Sequence, residues 1–297
     1  MITPRRAAAY IVLAASAYGS LSIVTTLSGR AGVAMLTLMA WRYGLATPIL
    51  ALIAGKRALA VPVGRMIALV TLGGGGQAIV TYFSLSALQW LPAASLGFLF
   101  YTFPAWVAIF AAISGTERLT TVRVVALAVA LLGISAMVGS PWDLALPWPG
   151  VWRALMAAVI YALYIPLLHR LRGPLDPATA STFIIGGAAV IFMVTAGRTG
   201  GLVASMTPFT WALAAFLAVY STVVSFLTFL RGLEVLGPVR SAILSTTEPL
   251  FTAVLAVLVL GQSLDLKTIV GGVGILGAIV ILERVSPPTP SDAPAPA

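Results

Sequence analysis

Ala87-Leu88-Gln89-Trp90-Leu91-Pro92-Ala93 opens an apolar run that contains Pro104 and closes on Gly115-Thr116-Glu117. Leu230-Arg231-Gly232-Leu233-Glu234-Val235-Leu236-Gly237-Pro238 opens a second such run, which contains Pro249 and closes on Gly261-Gln262. The two stretches read as copies whose charges sit at opposite ends. The first connection before the run is uncharged, and the one after it carries Glu117, Arg118 and Arg123. In the second copy Arg231, Glu234 and Arg240 come before the apolar run, and only Asp265 and Lys267 follow it. Similar helices with swapped flanking charge are what one bundle and its upside-down twin present in a membrane.

Composition names the solvent. Hydrophobic residues make up 60% of the 297 and charged residues 8%, with a mean hydropathy of +1.05. A soluble domain carries about 25% charged residues, so this chain has too few to cover a water-facing surface. The net charge of +9 does not point to nucleic acid. The basic residues stand in ones and twos at the ends of apolar runs, where they set topology and meet anionic headgroups. The absence of cysteine excludes disulfides, thiolate metal sites and cysteine nucleophiles. Arg5-Arg6 ahead of residues 7–27, with Ala15-Ser16-Ala17, resembles a signal peptide. The run is longer than a usual signal core, and an uncleaved first helix is expected.

A spanning helix needs about 20 apolar residues. Ten runs qualify: 7–27, 33–54, 66–88, 92–114, 122–140, 149–168, 177–197, 209–230, 238–260 and 266–283. With the N-terminus inside, Arg5, Arg6, Lys56, Arg57, Arg65, Arg118, Arg123, Arg170, Arg172, Arg231, Arg240 and Arg284 fall on inner connections. Arg30, Arg153, Arg198 and Lys267 fall on outer ones. The positive-inside rule then places both termini in the cytoplasm. Five helices per half is an odd number, so the second half must start from the other side. The reading is an all-α membrane protein: residues 1–140 form a first five-helix repeat, residues 141–284 a second and inverted one, around a central cavity. The Pro-rich tail 285–297 is expected to be disordered.

These residues resemble the drug/metabolite transporter superfamily, and within it the EamA-type ten-helix exporters. The resemblance runs from residue 7 to residue 283. It rests on Trp41-Arg42-Tyr43, on Ala87-Leu88 with Pro92-Ala93 opening the fourth helix, on Pro104, and on Gly115-Thr116-Glu117-Arg118-Leu119. In the second half it rests on Glu248-Pro249-Leu250-Phe251, on Leu260-Gly261-Gln262, and on Gly271, Gly272, Gly274 and Gly277 of the last helix. Gln262 departs from the family's Glu, and Ala126 stands opposite Gly271. The resemblance implies export of amino acids, drugs or other small metabolites, with the aromatic amino acid exporters the most similar subgroup. It implies a bacterial inner-membrane location.

Ionisable groups inside membrane helices are costly and usually face a cavity or a partner. Arg42 and Glu248 lie deep in the second and ninth helices. Arg42 suits a substrate carboxylate, or else bonds helix carbonyls as a packing element. Glu248, before Pro249, suits a proton carrier or a partner for a substrate amine, or else satisfies the backbone of a Pro-broken helix. Gly73-Gly74-Gly75-Gly76-Gln77 has no Lys-Ser/Thr after it and no strand before it, so it is not a phosphate loop. Gly74 and Gly75 serve either close packing or a gating hinge. Pro104 and Pro249, at corresponding places, are candidate gates, and Pro166 also interrupts a helix. Gln77, Ser245 and the tyrosines Tyr82, Tyr101, Tyr161 and Tyr164 complete the candidate cavity. Trp90, Trp142, Trp148 and Trp211 sit near run ends as interface anchors.

The leading expectation is a secondary active or facilitative transporter that exports amino acids and related metabolites by alternating access. Its partners would be a small-molecule substrate, the lipid bilayer and protons, as a monomer or dimer, without cofactor or metal. A flippase for a lipid-linked small molecule, or a channel, is the alternative. An enzyme is disfavoured. The one histidine, His169, has no His-Glu-x-x-His or Gly-x-Ser-x-Gly context, and no ATP-binding motif occurs.

Overall fold

The structure, a computed structural model, describes residues 2–87, 89–91, 93–116, 120–138, 146–261 and 266–285. Leu88, Pro92, Glu117, Arg118, Leu119, Trp142, Gln262, Asp265 and the tail beyond residue 285 lie outside the described residues. Among the described residues every regular element is helical. In order these are α1 (Pro4–Arg30), α2 (Met35–Ala54), α3 (Val63–Ala68), α4 (Gly75–Ala87), α5 (Ala93–Phe100), α6 (Phe103–Ile113), α7 (Thr121–Val138), α8 (Trp148–Arg172), α9 (Pro177–Arg198), α10 (Pro208–Ala218), α11 (Ser225–Ser245), α12 (Glu248–Leu260) and α13 (Leu266–Val285). A 3-10 helix, Gly55–Ala60, follows α2.

Six segments are long and apolar enough to cross a bilayer: Pro4–Arg30, Met35–Ala60, Val63–Ala87, Trp148–Arg172, Pro177–Arg198 and Pro208–Ser245. Phe103–Ile113, Thr121–Ala136, Glu248–Leu260 and Leu266–Leu282 are shorter apolar helices. Large apolar side chains such as Leu52, Leu132 and Leu258 stand out from the surface, as a lipid solvent permits. The starts of the long helices are cut by local chemistry. The Thr3 hydroxyl accepts from the Arg6 amide before Pro4, and Asp176 accepts from the Ala178 and Thr179 amides before Pro177.

Four of the expected continuous runs are interrupted. The third passes from α3 through a π-helical stretch, Leu69–Gly74, into α4. Its counterpart in the second half passes from α10 through Val219–Val224 into α11. The fourth run breaks at Tyr101-Thr102, between α5 and α6, and the ninth at Thr246-Thr247, between α11 and α12. Pro104 and Pro249 each fall at the start of the helix after the break, where a missing amide hydrogen costs nothing. The connection expected at 231–237 is instead helical up to Leu236. There Gly237, at φ 74° and ψ 173°, breaks α11 ahead of Pro238.

Helix pairs approach through small residues, because lipid leaves packing to van der Waals contact. α7 runs along α13, α2 along α9, α1 along α11 and α4 along α8. A Cβ on Gly133 of α7 would lie 2.7 Å from the Gly271 carbonyl oxygen of α13. The glycine run belongs to this class. A Cβ on Gly73 would meet Ile184, one on Gly74 would lie 2.6 Å from the Gly187 Cα, and one on Gly76 would meet the Tyr164 ring. Gly75 alone in the run faces open space.

This gives a paired test of the glycine run. Gly74→Ala drives a methyl group into backbone that cannot yield, so the detergent-solubilised protein should melt several degrees lower. Gly75→Ala should melt at the same temperature or higher, since glycine costs a helix about 1 kcal/mol relative to alanine. Equal tolerance of both substitutions would remove close packing as the reason for the run.

Candidate functional site

Arg42 points from α2 into the π-helical stretch of the other half of the chain. It is 2% exposed. Its Nε donates to Thr222 Oγ1 at 2.7 Å and its Nη2 to the Ser221 carbonyl at 2.9 Å. Nη1 approaches Met39 Sδ at 3.8 Å, and the guanidinium carbon lies 4.9 Å from the Tyr43 ring centroid. A π turn bonds i to i+5 rather than i+4, so its carbonyls need other donors. Ser225 Oγ also donates to the Ser221 carbonyl, and Ser20 Oγ of α1 shares a hydrogen bond with Ser221 Oγ. Arg42 is thus committed to helix backbone and has almost no surface left for a solute.

The first-half π stretch is held by a different side chain. Tyr164 of α8 donates from its hydroxyl to the Gly73 carbonyl at 2.7 Å. Gln77 sits one turn on and donates to the Tyr43 hydroxyl at 3.0 Å, tying α4 to α2. Tyr43 stacks on Phe192 of α9. Gln77 and Tyr164 therefore brace the bundle beside the site.

The two helix breaks meet. Tyr101, in the break between α5 and α6, lies close to Glu248, the first residue of α12. A helix N-terminus suits a carboxylate, because its amides and its dipole favour negative charge. Hydroxyls satisfy the carbonyls that the breaks release. Thr102 donates to Leu99, Thr246 to Ile243, Thr247 to Leu244, and Ser245 to Ser241. Ser245, 8% exposed, serves the backbone at this break.

An aromatic cluster flanks the first-half break. Tyr161 of α8 packs edge-on against Phe103 with centroids 4.8 Å apart, and stacks on Phe100 at 5.5 Å. Tyr161, Tyr18 of α1 and Arg42 all lie within electrostatic reach of Glu248. Glu248 and Tyr161 are each partly exposed. The backbone of α1 holds this arrangement from the other side. A Cβ on Gly19 would fall 2.9 Å from the Glu248 carbonyl oxygen, and Thr252 donates to the Gly19 carbonyl at 3.0 Å.

Of the candidate residues, Tyr101, Tyr161 and Glu248 converge at the breaks, with Pro104 and Pro249 at the helix starts beside them. Arg42, Gln77, Tyr164 and Ser245 form the surrounding hydrogen-bonded frame. Gly74 lies in the α9 contact and Gly75 faces open space. Tyr82 does not join them. It is 56% exposed on the outer side of α4, because one residue along a helix from buried Thr81 turns the side chain about 100° away. Tyr18 and the hydroxyls of Ser221 and Thr222 escaped the sequence reading. The hydroxyl run in Ser16, Tyr18 and Ser20 of the first helix was the available signal. An apolar groove of about 470 Å³ between α2 and α9, lined by Gly44, Pro48, Gly186 and Met193, lies elsewhere and has no charged lining.

The profile of the EamA-like transporter family matches residues 5–139 and again residues 148–284. An uncharacterized transporter of Archaeoglobus fulgidus is 26% identical over 203 residues, 67% of this chain and 70% of the relative. A solved protein crystal structure superposes with a TM-score of 0.77 at 20% identity, covering 93% of this chain and 96% of that one. At that identity the likeness is one of fold.

The role of Arg42 is open to measurement. Arg42→Met leaves the Thr222 hydroxyl and the Ser221 carbonyl short of a charged donor, a loss of about 1–3 kcal/mol. Arg42→Lys keeps the charge but not the planar fork, and should recover only part of it. Both variants should melt lower in detergent, while Arg42→Lys keeps its transport per folded molecule. Unchanged melting with abolished transport would instead assign Arg42 to the solute.

Proposed function

From the premise that this chain belongs to the EamA-like transporter family, we propose that it is a secondary active or facilitative transporter of small organic metabolites, with amino acids and related amines as its solutes. It is a multi-pass membrane transporter. In this reading the ten apolar segments are two inverted five-helix repeats, residues 1–140 and 141–284, that rock about a site at their interface. The twofold profile match and the paired breaks at Tyr101-Thr102 and Thr246-Thr247 support it.

The observation that carries the proposal is that Tyr101 and Glu248 each stand at a helix break, and that the two breaks come from different halves of the chain. A solute lodged between them touches both halves at once. Breaks of this kind are points where half-helices can swing, and broken helices near mid-membrane build solute sites in other transporters. Moving one half relative to the other must part Tyr101 from Glu248, so whatever binds the carboxylate biases the motion. Glu248 is the group for a proton or a substrate amine. Export from the cytoplasm across the inner membrane is the direction this reading assigns.

Purified protein in proteoliposomes tests this. Labelled amino acids and amines should enter by a saturable flux, and an imposed pH gradient should accelerate it if Glu248 carries the proton. Glu248→Gln should abolish the acceleration and cut flux by about tenfold or more, because an intramembrane charge that does no work would not be tolerated. Full gradient-driven flux in Glu248→Gln would end the assignment of Glu248 as the coupling group.

A further inference from the structure

Two spanning segments, Val63–Ala87 and Trp148–Arg172, end side by side. A Cβ on Gly150 would lie 2.7 Å from Trp90 Cβ and 2.6 Å from Leu91 Cγ, so the connection after α4 sits directly on the first turn of α8. The ends of two spans mark the edge of the apolar layer. We infer that this corner is a phospholipid site: the phosphate of an anionic glycerophospholipid docks on Arg153, and its acyl chain runs inward past Phe83 and Tyr82. The inference is independent of what the protein transports.

Three observations carry it. First, the Arg153 guanidinium is oriented and only partly used. Its Nη1 donates to the Pro149 carbonyl at 2.6 Å, and its central carbon lies 5.1 Å from the Trp152 ring centroid and 5.9 Å from that of Trp90. Among the described residues, Nε and Nη2 meet no acceptor, and Arg153 is partly exposed. Those two nitrogens share one edge of the guanidinium, which is the fork that takes two phosphate oxygens at once. Second, the charge is uncompensated. Among the described residues no carboxylate pairs with Arg153, so an anion is the complementary ligand. Third, an aromatic wall descends from it. Phe83 meets Trp152 edge-on with centroids 5.6 Å apart, and Tyr82 meets Phe83 at 5.8 Å. These two residues lie about 6–8 Å inside the end of α4, and Tyr82 is turned outward into the apolar layer. Tryptophans at this depth are ordinary interface anchors, but anchoring gives no reason for a cation held open among them. A lipid uses the whole patch: its phosphate meets the fork, and its chain covers the exposed rings below.

Lipid titration tests it. The delipidated full chain in detergent receives phosphatidylglycerol or phosphatidylcholine with identical acyl chains. Binding is read from the melting temperature and from quenching of tryptophan emission by the brominated-chain form of each lipid. Phosphatidylglycerol should bind about fivefold tighter than phosphatidylcholine, the advantage one basic residue gives at an anionic headgroup. Arg153→Gln should bring the two lipids to equal affinity and equal quenching. Arg153→Lys keeps the charge without the planar fork and should retain a reduced preference, which provides a reading if the Gln variant does not fold. Arg198→Gln is the control. It changes the exposed arginine that closes α9, which returns to the same side of the membrane as the start of α8, and should leave the preference intact. Equal binding of both lipids to the unmodified chain overturns the inference, as does full preference in Arg153→Gln. An equal drop in Arg198→Gln also overturns it, because the effect would then be one of diffuse charge. Inorganic phosphate at matching concentration should not compete. Competition would make Arg153 a site for a soluble anion and end the lipid assignment.

Discussion

Lipid offers no hydrogen bonds, so every departure from the α-helix in this bundle must find its donors and acceptors inside the protein. The architecture of the site follows from that constraint. Two π-helical stretches and two helix breaks misplace backbone carbonyls at mid-bundle. Each is answered by a polar side chain, some from the same turn and the decisive ones from another helix. Arg42 crosses from α2 to the Ser221 carbonyl, and Tyr164 crosses from α8 to Gly73. Threonine and serine hydroxyls close the breaks locally. The irregular backbone and the buried polar side chains therefore explain one another.

The same constraint makes the two halves differ in chemistry while matching in shape. Both have a π stretch in the corresponding helix, and both have a break followed by proline. In the second half the residue before that proline is Glu248, and in the first it is Phe103. The π stretch of the second half is clasped by an arginine, whereas in the first half Ile184 of α9 lies against Gly73 and a tyrosine supplies the donor.

Close approach is the other half of the energetics. Glycines at 19, 74, 133 and 187 let helix backbones touch where any side chain would collide with backbone. Gly19 deserves separate mention for function. It sets how near α1 comes to the first turn of α12, and so how Glu248 is presented. The site is thus positioned by packing on one side and by hydrogen bonds on the other, and neither alone would hold a carboxylate at a helix break inside a membrane.

Much of this was legible in the chain itself. Hydropathy and charge placement mark the apolar segments, and the repeated Pro-bearing runs show that the halves are related. The rarity of intramembrane ionisable residues singles out Arg42 and Glu248, because lipid makes any such residue expensive. Side-chain direction was not legible. A helical pattern in lipid is apolar on every face, so the sequence carries no period that separates Tyr82, on the outside, from Tyr101 and Tyr161, on the inside. Nor does local sequence mark a π turn, since its hydrogen-bond shift is stabilised by donors that arrive from other helices. The sequence by itself determined that this chain lives in a membrane and singled out Arg42 and Glu248 within its apolar runs. Only the tertiary structure decided that Arg42 is buried and held by backbone while Glu248 is left partly exposed, because that choice depends on which helix packs against each of them.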